Sequence, residues 1–254
     1  MNPAIVPIKE LLDHKVELYN NASFIQGDPI SIPHQFQKKE DIEIAGFLTA
    51  MISWGQRRTI VENASRLMHL MDFDPFEFIL GFEEQDLLRI APFRHRTFNA
   101  TDCLFFIRSL KNIYQNHGGL ERAFSCPDQD IKQAIINFRR TFFSIPFPER
   151  TRKHIADPLS GAPAKRINMF LRWMVRQDNK GVDFGIWPSV RPSQLYCPLD
   201  LHTGNVARKL GLITRKQNDW KALEELMTHL RSFDPEDPVK YDFALFGLGI
   251  YERF

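Results

Sequence analysis

The segment LSGAPAKRINMFLRWMV, Leu159–Val175, joins a tight turn to an amphipathic helix. Gly161 can adopt φ > 0 and Pro163 suits a first helical turn, so the spacing predicts a helix over Pro163–Val175. Ile167, Phe170, Leu171 and Met174 fall at i, i+3, i+4 and i+7, an apolar stripe for a core. Lys165, Asn168, Arg172 and Arg176 share another face, at steps of three, four and four. A glycine turn feeding a helix N-terminus presents backbone N–H groups to an anion. Lys165 sits in the first turn, where the helix dipole disfavours a cation. That placement serves a lysine needed as a free amine, and it is equally that of a solvated one.

The same periodicity extends along the chain. Ile8, Leu11, Leu12, Val16 and Tyr19 lie near one face of a first helix, and Ile42–Trp54 is apolar nearly all round, as a core helix would be. Further helices fit Thr59–Met71, Asn99–Asn116, Gln129–Phe143, His202–Leu210, Trp220–Leu230 and Val239–Phe246. Short Pro/Gly punctuators such as FDPF and NHGG separate them. Period-two runs are nearly absent, so the expected class is all-α. The one long irregular connection is Lys180–Pro198, and a loop of that length in a compact chain is more often functional than decorative.

Composition narrows the function classes. Charge is close to balanced, 33 basic against 31 acidic residues, which excludes a uniformly basic nucleic-acid coat. Charge is nonetheless segregated. Arg139–Lys180 holds ten basic and three acidic residues, a local net of +7, whereas Asn218–Asp242 holds seven acids and three bases. The basic stretch reads either as a face for phosphates or as a solvated arginine-rich helix pair. Three scattered cysteines, Cys103, Cys126 and Cys197, make no disulfide framework and cannot supply four ligands to zinc or an iron–sulfur cluster. No cofactor or metal is therefore expected. The N-terminus lacks a secretory pattern, and the longest uncharged run, Ile44–Gln56, is too short to span a bilayer. A cytoplasmic protein with no membrane partner is expected.

Downstream, CPLDLHTGNVARKLGL (Cys197–Leu212) opens a helix with Asp200 as its N-cap. A carboxylate held there by helix amides stays ionised and fixed, so capping and catalysis are compatible roles.

Together these stretches resemble the helix-hairpin-helix superfamily of DNA glycosylases and glycosylase/AP lyases. LSGAPAK matches the family's hairpin L-P-G-x-G-x-K at Leu159, Gly161 and Lys165, and LDLHTGNVARKLGL matches its Val-Asp-Thr-His segment at Asp200, His202, Arg208, Leu210 and Gly211. FLTAMISWGQRRTIVENA, APFRHRTFNATDCLFFIRSLKNIYQNHGGL and DFALFGLG resemble other family segments in the right order, from about Ile42 to Gly249. The sequence departs from the pattern at Pro163, which replaces the second hairpin glycine and removes an N–H donor. The spacing from Lys165 to Asp200 is longer than in bacterial endonuclease-type members and is similar to the archaeal 8-oxoguanine glycosylase branch. The closest likeness is to a bacterial branch whose lesion the resemblance does not specify.

The resemblance implies a two-lobed all-α fold with an interlobe cleft. One lobe would span residues 42–175 and end in the hairpin; residues 1–41 and 176–254 would form the other. It implies double-stranded DNA as partner, with a damaged nucleotide flipped from the stack. Lys165 would be the nucleophile, forming a Schiff base, and Asp200 would stabilise the oxocarbenium-like sugar or assist deprotonation of the lysine. Gly161, Ala162, Ala164, Arg166 and Arg172 would hold backbone phosphates. Gln56, Arg57 and Arg58 would wedge into the duplex or hold phosphates, or simply be solvated charges at a helix start. In the long loop, Trp187 and Phe184 would stack on the flipped base or plug the core, and Asp183 would bond a base edge or cap the loop. The reading is a DNA base-excision glycosylase/AP lyase. The alternatives are a catalytically silent DNA-binding protein of the same fold and a helical protein-interaction scaffold.

Overall fold

A computed structural model describes residues 6–125 and 130–254. Cys126 and the expected helix start at Gln129 lie outside them. The fold is all-α, and the described residues form no strand, only one isolated bridge between His95 and Phe98. The helices are α1 (Val6–Tyr19), α2 (Lys39–Met51), α3 (Arg57–Leu70), α4 (Pro75–Gly81), α5 (Leu87–Ile90), α6 (Ala100–Asn116), α7 (Gly119–Phe124), α8 (Ile131–Phe142), α9 (Lys165–Val175), α10 (Leu201–Lys209), α11 (Trp220–Phe233) and α12 (Tyr241–Ile250). No helix among the described residues is long and apolar enough to cross a membrane. Cys103 and Cys197 are free and buried.

All nine helices expected from periodicity have counterparts. The additional α4, α5 and α7 have seven residues or fewer, too short for a periodic pattern to register. Boundaries follow local chemistry. Asn99 and Asp102 close a capping box on α6, while Asp130, Asp200 and Asp219 accept from the first-turn amides of α8, α10 and α11. α2 stops at Met51, short of the expected Trp54, where Ser53 Oγ donates back to the Thr49 carbonyl at 2.8 Å.

The chain divides into two compact units, one of residues 25–156 and one of both termini, residues up to 24 and from 157 onward. This differs from the expected partition at 42 and 175. The hairpin and α9 belong with the termini, and the segment before α2 belongs with the middle of the chain. The cause lies in side-chain partners: α9 buries Arg172 against Asp242, far along the chain.

Much of the phenylalanine content fills the middle unit. Phe47, Phe106, Phe138 and Phe142 interlock, with Phe106 and Phe142 centroids 4.8 Å apart at 74°, and Phe124 stacks on Phe138 at 3.9 Å. Each buried ring contributes roughly 1.5–3 kcal/mol of transfer free energy. In the terminal unit, α12 packs on α1 and α10. Tyr241 Oη donates to Asp13 Oδ1 at 2.8 Å, and Phe243 meets Phe24 edge-on at 5.0 Å.

Candidate functional site

The hairpin begins as a 3₁₀ turn, Pro158–Ser160, with Asp157 accepting from the Leu159 amide at 3.0 Å. Gly161 follows at φ +84°, a conformation a Cβ would strain. Its N–H donates to the Pro158 carbonyl at 3.1 Å, and the Ala162 N–H donates to the Asp157 carbonyl at 3.3 Å. Two of the three amides expected to bind phosphate are thus spent inside the turn. The helix starts at Lys165, not Pro163, because Ala164 takes the left-handed conformation at φ +48°. That costs a non-glycine residue on the order of 1–2 kcal/mol. Asn168 holds the strained turn from both ends: its amide bonds the Ala164 carbonyl at 2.9 Å and its side chain donates to the Pro163 carbonyl at 3.0 Å.

Asp200 and Lys165 come together in the terminal unit. Asp200 Oδ1 accepts from the Thr203 amide at 3.0 Å, fixing the carboxylate on α10. Its Oδ2 lies 3.9 Å from Lys165 Nζ, with the two side chains 30% and 29% exposed. One oxygen caps the helix while the other faces the amine. Leu159, in the hairpin, and Leu201, next to Asp200 in sequence, are 68% and 65% exposed.

The frame around the pair was also missed. Asn218 Nδ2 donates to the Asp200 carbonyl at 2.8 Å, and its Oδ1 accepts from Arg208 at 2.6 Å. The Trp220 amide donates to the Gly161 carbonyl at 2.8 Å, tying the start of α11 to the hairpin. Gly204 makes room: a Cβ there would stand 2.5 Å from Asn218 Oδ1. A glycine inside a helix was the available signal. Asn218→Ala should cost about 0.5–1.5 kcal/mol by removing one partner each from Arg208, which keeps the Arg215 carbonyl, and from the Asp200 carbonyl, which keeps the Gly204 amide. Thermal unfolding reads this directly, and an unchanged midpoint would contradict the role assigned to Asn218.

Most of the expected binding residues go elsewhere. Arg172, expected on phosphate, is 3% exposed; it donates to Asp183 at 3.2 Å and to Asp242, and lies over Phe243. Arg176 is buried among Asp178, Asp183 and Asp237. Asp183 is therefore the shared carboxylate of two buried arginines and is not free for a base edge. Trp187 is 1% exposed and packs edge-on against Phe170 at 5.3 Å, so it plugs the core. Phe184 is partly exposed, with its amide bonded to the Trp173 carbonyl at 2.8 Å. Arg166 is partly buried, and burial lowers its guanidinium to about 10, still protonated at neutral pH. Gln56, Arg57 and Arg58 lie at the start of α3 in the other unit, and Arg58 pairs with Glu62 at 2.7 Å. The physical reason is charge pairing within the fold. The acidic stretch Asn218–Asp242 supplies Asp237 and Asp242 to the basic helix, so charge segregated in sequence is neutralised in space.

Asp242, buried and missed by sequence reading, couples to this network and to the site. Burial first, opposed by Arg172, pushes its carboxyl up to about 6; Asp200 and Asp183 raise it further and Lys165 lowers it. Cys197 Sγ lies 3.7 Å from its Oδ1. The folded-state pKa exceeds the ordinary value of 3.8, so the folded state holds an extra proton between the two. Stability from this group is then present at low pH, falls as pH rises from about 4 to about 6, and is flat above. Relative to Asp242→Asn, the wild type should lose roughly 1–3 kcal/mol between pH 4 and 7. Urea denaturation at the two pH values checks the sign, and a constant difference would contradict it.

No curated protein and no solved structure matches the chain. A family described as Protein of unknown function (DUF2400) matches residues 28–251, most of the chain and all of the site above. The chain belongs to that family.

Proposed function

We propose that the protein is a DNA base-excision glycosylase with lyase activity that works through Lys165 and Asp200. The carrying observation is the 3.9 Å approach of Lys165 Nζ to Asp200 Oδ2, two side chains 35 positions apart in sequence. It is supported by the turn at Gly161–Ala164, which delivers the amine at the first residue of α9, and by the order of motifs shared with the helix-hairpin-helix glycosylases.

The nitrogen lone pair of Lys165 adds to C1′ of a flipped nucleotide. The glycosidic C–N bond breaks and its electron pair leaves with the base, which takes up a proton. Asp200, held by the Thr203 amide, offsets the positive charge that develops on the sugar. The amine nitrogen loses a proton, its lone pair forms the C1′=N bond of the Schiff base, and the C1′–O4′ bond breaks with O4′ taking up a proton. Removal of a C2′ proton then expels the 3′ phosphate by β-elimination. Leu159 and Leu201 give the sugar and base an apolar flank.

The test is borohydride trapping on duplexes carrying an abasic site, 8-oxoguanine, uracil or an oxidised pyrimidine. The account expects a covalent adduct on at least the abasic duplex, and absence of adduct on every duplex overturns it. One observation favours a second reading, a catalytically silent DNA-binding protein. The loop that was to supply a base pocket instead spends Asp183 and Trp187 on the core. A silent binder keeps salt-sensitive duplex affinity and shows no adduct.

A further inference from the structure

We propose that the Thr214–Lys221 loop is a second phosphate cradle, which holds the backbone of a nucleic-acid strand beside the Lys165–Asp200 pair; this rests on the nucleic-acid reading above. The loop lines a cavity of about 570 Å³ formed by Thr214, Arg215, Lys216, Gln217, Lys221 and Glu225. Its one lining carboxylate is engaged by the loop's own donors. Glu225 Oε1 accepts from the Thr214 amide and hydroxyl at 2.8 and 2.6 Å, and Oε2 accepts from the Arg215 amide at 3.3 Å. Arg215 is held by Asp219 at 2.5–2.8 Å. Lys216 and Lys221 are exposed, and neither ammonium has a carboxylate partner among the described residues.

Two loop-to-site hydrogen bonds fix where this charge stands. Asn218 bonds the Asp200 carbonyl at 2.8 Å, and the Trp220 amide bonds the Gly161 carbonyl at 2.8 Å. The cavity is therefore built onto the same frame as the amine and the cap. The hairpin amides of Gly161 and Ala162 are spent internally and Arg172 is buried, so three of the five phosphate contacts expected around the hairpin are taken up within the fold. Two free ammonium groups and a concave surface next to it supply what a phosphodiester backbone needs.

The experiment measures duplex affinity against salt for the wild type, for Lys216→Ala/Lys221→Ala, and for Lys9→Ala/Lys180→Ala. The last removes equal charge from lysines already paired with Asp13 and Glu17. The loop double variant should flatten the slope of log affinity against log salt by about 1–2 and weaken low-salt binding roughly tenfold. A slope equal to the wild type's, or an equal change in the control, overturns the cradle. Inorganic phosphate at matched ionic strength should compete no better than chloride; displacement at low millimolar phosphate would assign the pocket to a free phosphate and overturn it. Borohydride trapping on the same preparations separates the two readings. A changed slope with no wild-type adduct keeps the cradle and removes the lyase, whereas a normal adduct with an unchanged slope does the reverse.

Discussion

Lys165→Gln is expected to remove the borohydride-trapped adduct down to background while leaving duplex affinity within about twofold, since one half-exposed lysine contributes at most one phosphate contact. Asp200→Asn should behave differently. The amide oxygen still accepts from the Thr203 amide, so α10 keeps its cap, but the charge facing the amine is gone. Removal of one preorganised charge from such a site slows chemistry by about 10²–10³-fold. A slower but still trappable adduct is the expected result. Lys165→Arg keeps the cation and cannot form an imine, so it separates binding from chemistry. Equal adduct yield from Lys165→Gln and the wild type would remove Lys165 from the mechanism.

The second large effect concerns stability. Asp183→Ala should destabilise the protein by about 3–5 kcal/mol, because it strips the shared carboxylate from two buried guanidinium groups. Arg172 keeps Asp242, and Arg176 keeps Asp178 and Asp237, but each loses a charged partner in a dry setting. For a chain of this size the midpoint of thermal unfolding should fall by roughly 6–20 °C. Lys165→Gln, in contrast, should stay within about 0.5 kcal/mol of the wild type, as surface changes do. A midpoint for Asp183→Ala within 2 °C of the wild type's would contradict the network's importance.

The helices were legible because their apolar residues repeat with helical period. The stripe Ile167, Phe170, Leu171 and Met174 is buried as the spacing demands. The pairing of Lys165 with Asp200 came from motif order, since nothing in local spacing relates positions 35 apart. The basic face of α9 was misread for a definite reason. Asn168, Arg172 and Arg176 look solvated in a helical projection, and only long-range contacts reveal the carboxylates that accompany the two arginines inward. Of the basic residues between Arg139 and Lys180, Arg150, Arg152, Lys165, Arg172, Arg176 and Lys180 pair with carboxylates. Trp187 shows the same limit. An aromatic in a long loop serves a ligand or a core equally well until its neighbours are known, and here the neighbour is Phe170. Asn218 and Gly204 escaped because their roles exist only once the loop folds back on Asp200.

The most direct measurement is peptide mass mapping of the protein reduced with borohydride on an abasic duplex. The account predicts one modified residue, Lys165, in a peptide where trypsin no longer cuts between Lys165 and Arg166. A sugar remnant on Lys153, on Lys216 or on the N-terminal amine, with Lys165 unmodified, would contradict it.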